Sequence, residues 1–191
     1  MTKPTRNRPE AADDISSRLS SGKAFADLSG WTKLSVSGAE ALRWLDSLCS
    51  VSVAELAPGR AIPDVPLARE GRSLGTFAIA IAGASVLLIQ EPARSSSTLG
   101  LLSADARAWD VDVEDRTENL ALVSFPGREM APNAPGTAFY APSCLGTGVD
   151  LVALSEDRRF VLSSLAKAFS LASPQELESW RRGAVPRSQA P

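Results

Sequence analysis

The chain has 191 residues, 44% of them hydrophobic and 22% charged, with a formal net charge of −2 and no histidine. That length can bury a substantial core in one domain, and the small net charge supplies no field for nucleic acid or an anionic membrane. Without histidine the chain lacks the usual general base, and it cannot build a Ser-His-Asp or Cys-His nucleophile of its own.

Residues 1–14 (MTKPTRNRPEAADD) are polar, carry two prolines and show no apolar period, so they read as a disordered leader. They also lack the apolar stretch of a secretory signal. The longest apolar run, residues 77–89, is interrupted by Gly83 and Ser85 and is too short to cross a bilayer as a helix. The expectation is a cytoplasmic protein with no membrane and no nucleic-acid partner. Cys49 and Cys144 belong to no CxxC or Cys/His cluster, so they read as reduced thiols and no metal site is expected.

Residues 15–25 suggest a short helix on Ile15, Leu19 and Phe25. The chain is then organised around residues 28–71. In WTKLSVSG, Thr32, Leu34 and Val36 alternate with Lys33 and Ser35, which predicts a half-buried strand with Lys33 outward. Ser37 and Glu40 read as a capping box opening a helix whose apolar stripe contains Trp44, Leu45 and Leu48. A short apolar segment at 51–56 follows. Pro58, Pro63 and Pro66 then argue for an irregular connection, and Arg69-Glu70-Gly71-Arg72 for a hairpin turn.

LGTFAIAIAG and ASVLLIQ predict a hairpin buried on both faces, with Phe77, Ile79 and Ile81 opposite Ala78 and Ala80. Pro92 is read as opening a second helix with Leu99, Leu102 and Ala106 inward, the serines at 95–97 facing solvent. VDVEDRT and NLALVSF are read as the next strand pair, residues 130–148 as a loop and VDLVAL as a strand. Ser155 is taken to cap a third helix with Phe160, Val161, Leu165 and Phe169 inward. Ser173-Pro174-Gln175-Glu176 is a capping box opening a fourth helix through Leu177 and Trp180. The pattern predicts an α+β domain over 15–187, built as two similar sheet-plus-helix lobes, with a frayed tail at 188–191.

An ordered set of segments carries a resemblance: FADLSGWTKLSVSGAEALRWLDSL, SVSVAELAPGRA, AREGRSLGTFAIAIAGASVLLI, LLSADARAWDVDVEDRTENLALVSFPG and WRRGAVPR. Together they resemble the N-terminal folate-binding domain of the aminomethyltransferase (glycine cleavage T-protein) family. Its relatives include the tetrahydrofolate domains of dimethylglycine- and sarcosine-oxidising enzymes and the YgfZ-type iron–sulfur maintenance proteins. The resemblance implies tetrahydrofolate as ligand, one-carbon metabolism as setting, and a C-terminal barrel that a separate chain would have to supply.

Three departures bear on activity. The family's aspartate pair after the glycine turn corresponds to Gly75 and Thr76, neither of which titrates near neutral pH. The carboxylate of the family's TGE-DG turn has no counterpart in Leu145-Gly146-Thr147-Gly148-Val149-Asp150. At the C-terminal motif, Trp180 stands at the family's arginine, Arg182 at its glutamate and Ala184 at its glycine, while Arg181 and Arg182 could meet a folate glutamate tail. The expectation is a tetrahydrofolate-binding-like domain without catalytic residues. Thr76, Tyr140, Thr147, Arg181 and Arg182 are the candidate ligand contacts, around one cavity beside Thr76, Tyr140 and Thr147.

Two alternatives stand beside it. One is a folate-dependent aminomethyl- or methyltransferase subunit completed by another chain, with Asp27, Asp64 or Asp150 as substitute acid. The other is a structural or interaction protein with a filled pocket, making its contacts through the loops at 58–66 and 132–142.

Overall fold

The computed structural model describes residues 10–83, 85–92, 98–134 and 136–184. Most of the leader, the serines at 95–97, and everything after 184 therefore lie outside the described residues. The elements are α1 (Glu10–Ser20), β1 (Ala24–Asp27), β2 (Thr32–Ser37), α2 (Ala41–Asp46), β3 (Ala61–Arg69), β4 (Arg72–Ala82), β5 (Ser85–Gln90) and α3 (Thr98–Ala106). There follow β6 (Asp112–Asp115), β7 (Leu120–Phe125), β8 (Ala138–Tyr140), β9 (Val149–Leu154), a 3₁₀ turn (Ser155–Asp157), α4 (Arg158–Leu165), β10 (Ser170–Ala172) and α5 (Pro174–Ala184). Among the described residues no helix is long and apolar enough to cross a membrane.

The strands form two five-stranded sheets, ordered β3-β4-β5-β2-β6 and β10-β1-β7-β9-β8. The first is antiparallel throughout. The second is antiparallel except where β1 runs parallel to β10. Each sheet is apolar on both faces, which gives a four-layer stack. Phe77, Ile79 and Ile81 of β4 pack with Trp44 and Leu45 of α2 and Leu102 and Ala106 of α3. The opposite face of that sheet, with Ala78, Ala80, Leu87 and Ile89, meets Ala24, Ala26, Leu122 and Val152 of the second sheet. Alanines at this seam let the two sheets approach closely. The outer face of the second sheet, with Phe25, Val123, Phe125 and Leu151, is covered by Val161 and Leu165 of α4. At one margin of the seam, α1 and α5 contribute Ile15, Leu19, Leu177 and Trp180.

Several local expectations are met for their stated reasons. Trp44 is fully buried. The β3–β4 hairpin turns through Glu70 and Gly71, both at positive φ, which the glycine accepts without strain. At α5 the capping box forms: Ser173 N and Oγ donate to Glu176 Oε2 at 2.8 and 2.7 Å, and Glu176 N donates to Ser173 Oγ at 3.3 Å.

Other local expectations are corrected. Helix α1 ends at Ser20, and Phe25 lies in β1. Ser37 caps no helix, because pairing with Asp112 keeps it in β2; Glu40 precedes α2 without a side-chain cap bond. The prolines at 63 and 66 do not break strand structure, since β3 is an edge strand that bulges between Ile62 and Val65. β6 and β7 are not partners but belong to different sheets. Residues 138–140, read as loop, add strand β8 beside β9. Phe160 points out, 59% exposed.

Lys33 is the largest departure from the alternation. It is fully buried, and its Nζ donates to the carbonyls of Ser29 (2.8 Å) and Trp31 (2.6 Å). It thereby fastens the turn that carries Trp31. Burial pushes the Lys33 amine down to about 8, against the attraction of Asp115, Glu118 and Asp27. Between about pH 8 and 10.5 the unfolded chain therefore binds more protons at this side chain than the native one, so stability gains as pH rises through that window. The stability of the wild type relative to Lys33→Met is expected to rise by up to about 3 kcal/mol across it, read by urea denaturation at stepped pH. A pH-independent difference would refute the buried-amine assignment.

Candidate functional site

β4 brings Thr76 to the seam between the sheets, where Trp31, Gln90, Cys144 and Arg181 surround it. The cavity they leave, also reached by Asp64, measures about 30 Å³. That is room for a single water molecule. Gln90 is buried and bridges locally: its Nε2 donates to the Thr76 carbonyl at 3.0 Å, and its Oε1 accepts from Thr98 Oγ1 at 3.3 Å. Gly75, at φ +133°, is shaped by the same packing. A Cβ there would come within 2.8 Å of the Phe77 ring and 3.1 Å of the Gln90 amide. The side chain of an aspartate at position 75 has no space in this arrangement.

Arg181 closes the cavity on the α5 side. It forms a two-pronged ion pair with Glu91, at 2.9 and 3.3 Å, and its guanidinium lies 5.6 Å from the centre of the Trp31 ring. Both interactions hold the arginine in place. Beyond this gate lies an outer cavity of about 680 Å³ between the Asp27–Trp31 turn and the start of α5. Its charged walls are largely matched internally. Arg158 donates to Asp27 Oδ2, and Glu176 serves the α5 cap. Burial raises the Asp27 pKa, but the hydrogen bonds from Arg158 and Ser29 prevail and hold it below its ordinary value.

Of the five residues expected to share one site, only Thr76 and Arg181 meet. Tyr140, on β8, lines a separate cavity of about 390 Å³ at the β4–β5 turn end of the seam. Thr147 donates to the Pro126 carbonyl at 2.8 Å and ties two turns together. Arg182 is exposed on α5 against Glu178. The single cavity expected beside Thr76, Tyr140 and Thr147 is thus replaced by three separate settings.

The candidate substitute acids also separate. Asp64 is exposed at the β3 bulge and reaches the 30 Å³ cavity. Asp27 lies in the outer cavity. Asp150 is buried and accepts the Cys144 N–H at 2.7 Å, next to the hydrogen-bonded Ser124–Ser143 pair. Burial raises its pKa, and the same burial together with the Asp150 charge pushes the Cys144 thiol far up, so the thiol is a poor nucleophile. Trp31, Glu91 and Lys33 build the gate, and sequence reasoning assigned them no part in it. A lone tryptophan after Ser29-Gly30 carries no periodic signal. Among the described residues no group of three or more acidic or thiol side chains is placed to hold a metal ion.

No family model and no curated protein sequence matches the chain. Solved structures do. The glycine cleavage system aminomethyltransferase T from Bartonella henselae aligns with a TM-score of 0.67 at 15% identity, over 87% of this chain and 53% of that one. This chain thus spans about half the length of that enzyme. A chain of the heterotetrameric sarcosine oxidase from Corynebacterium sp. U-96 aligns with a TM-score of 0.50 at 15% identity, over 87% of this chain and 98% of the other. The likeness is one of fold: two sheets and their helices are arranged as in an aminomethyltransferase.

Proposed function

We propose that this chain is a non-catalytic, aminomethyltransferase-fold subunit of a multi-chain enzyme of one-carbon metabolism, of the kind that heterotetrameric sarcosine oxidase represents. The observation that carries the reading is the closed seam at Thr76. Where the related enzymes are expected to place an acid beside the pterin, this chain has Gly75, Thr76 and a space of about 30 Å³. Binding cavities for small organic ligands run to roughly 300–1,000 Å³, and a pterin has no room at the seam. Among the described residues, two carboxylates reach the seam cavity: Glu91 is held by Arg181, and Asp64 projects from an exposed bulge. In this reading Arg181 and Trp31 are closing residues, and the scaffold is kept for the surfaces it presents. The alignment with 98% of one chain of the heterotetrameric oxidase supports a role as a subunit.

A second reading is favoured by one feature, the outer cavity of about 680 Å³ beside Arg181. Tetrahydrofolate would lie there, outside the gate, rather than at the seam. Titration calorimetry separates the two. The first reading expects no heat with tetrahydrofolate at about 1 mM, where even weak sites show about 4 kcal/mol of binding free energy. Saturable binding that Arg181→Ala weakens about tenfold would overturn it in favour of the second. The subunit role is tested by purifying the tagged chain from its native cells: it is expected in a stoichiometric complex carrying oxidase or transferase activity. A folded monomer with no companion chain would refute that part.

A further inference from the structure

We propose that the open end of the inter-sheet seam binds a small carboxylate with an apolar body, held at its charged end by Arg116 and the Tyr140 hydroxyl. This site lies at the β4–β5 turn, away from Thr76 and Arg181, and does not depend on the reading given above. Across most of the seam the alanine faces of the two sheets touch. Beyond Ala82 they part, leaving a cavity of about 390 Å³ whose walls include Leu87, Leu120, Ala138 and Val152. That volume, with a mixed polar and apolar lining, is that of a small-molecule site.

Four of its described lining side chains are polar: Ser85 is spent on the Ala82 carbonyl at 3.1 Å, while Tyr140 and Arg116 keep unused capacity. Tyr140 is 6% exposed, yet its hydroxyl makes no hydrogen bond with any described residue. The oxygen is not sealed off either, for it is not among the buried polar atoms that lack a partner. A buried tyrosine normally finds a partner for its hydroxyl, and this one lines the cavity instead. Burial pushes the phenol up, so it remains a neutral donor at physiological pH.

Arg116 is the one charged side chain among the described lining residues. It spends only Nη1, on Glu114 at 3.2 Å, while its Nε is covered and has no acceptor. Nε and Nη2 form one edge of the guanidinium, the edge that grips a carboxylate with two parallel hydrogen bonds once a turn of the side chain uncovers Nε. The Glu114 carboxylate is 57% exposed, so that ion pair is worth under about 1 kcal/mol and resists a turn of the guanidinium into the cavity only weakly. A cationic fork and a neutral donor at the rim of an apolar pocket select an anion with a hydrocarbon or aryl body. The outer cavity near Arg181 differs, because its arginines already hold carboxylates of the chain.

Tyr140 is the only tyrosine in the chain. Ring-¹³C-tyrosine labelling of the full chain therefore gives one tyrosine spin system, and that residue stands in the wall of the proposed site. Titration with sodium octanoate is expected to move this signal saturably, with half-saturation below about 1 mM. Octan-1-ol, which keeps the tail and lacks the charge, is expected to bind at least about tenfold more weakly. Arg116→Gln should weaken octanoate by about tenfold, and Arg116→Lys, which keeps the charge without the fork, by less. Arg116 is partly exposed, so both variants are expected to fold; the lysine variant remains decisive if the glutamine one does not. A signal unmoved at about 10 mM octanoate, octanol binding as tightly as octanoate, or undiminished binding in both variants would each overturn the proposal.

Discussion

Replacing Trp44 with alanine is expected to cost about 3–5 kcal/mol, a large share of the stability of a domain this size. The side chain is fully buried between α2 and the first sheet, among Leu45, Phe77 and Leu102. It is also the apolar end of a polar clasp. Its Nε1 donates to Asp105 Oδ1 at 2.8 Å, and Arg69 grips both oxygens of the same carboxylate at 2.9 Å. The guanidinium of Arg69, with the Trp44 bond in support, holds the Asp105 carboxyl below its ordinary value. The clasp thereby joins α2, the end of β3 and α3. Trp44→Phe fills most of the space and removes only the N–H, so it should cost about 1–2 kcal/mol. Urea denaturation followed by far-UV circular dichroism reads both variants. Equal losses would mean that the hydrogen bond, and not the volume, is what Trp44 contributes.

Legibility in the sequence followed the physical origin of each element. The β4–β5 hairpin was readable because both of its faces are buried and both are apolar, so alternation of large residues and alanine survives in the chain. The α5 cap was readable because its bonds join residues three apart. Ser37 and Glu40 have the same spacing, and there the local signal lost to a distant one: Asp112 pairs with Ser37 and extends β2 through it. β1 and β10 are four and three residues long and pair with each other across most of the chain. So short a segment carries no period of its own.

The site was less legible than the fold, for a related reason. The departure at Gly75 and Thr76 could be seen in the letters, and the structure places both beside a cavity of about 30 Å³. That the centre is closed depends on Trp31, Glu91 and Arg181 meeting from three separate segments, and on Lys33 holding the Trp31 turn from inside a strand. Lys33 was assigned outward because lysine in an alternating strand usually faces water. Two carbonyl acceptors from a neighbouring turn reverse that preference, and no spacing rule announces them. Tyr140 and Thr76 line different cavities, and Thr147 is spent on the Pro126 carbonyl, a separation that no spacing in the sequence announces.

Gly148→Ala is expected to destabilise the fold by about 3–5 kcal/mol, while Gly146→Ala costs only about 1–2. Both glycines have positive φ, +86° and +94°, and both lie in the turn compared above with the family's TGE-DG turn. Their surroundings differ. A Cβ at Gly148 would strike the carbonyl oxygen of Phe125 and the backbone of Pro126, whereas one at Gly146 would meet nothing within 4 Å. The backbone of 147–148 lies directly on the 125–127 turn, held there by Thr147 Oγ1 donating to Pro126 O, while Ser143 N donates to Gly148 O at 3.0 Å within its own loop. Relief at Gly148 would have to pull apart β7 and β9, since Phe125 pairs with Val149 in that ladder. At Gly146 only the left-handed backbone itself opposes a side chain. The pair of variants therefore tells what the glycines are for. A large difference in urea midpoint means that Gly148 is retained for packing between two turns, as the structure has it. Equal, small losses would mean that the turn stands free of its neighbour and that its glycines answer to something outside the fold.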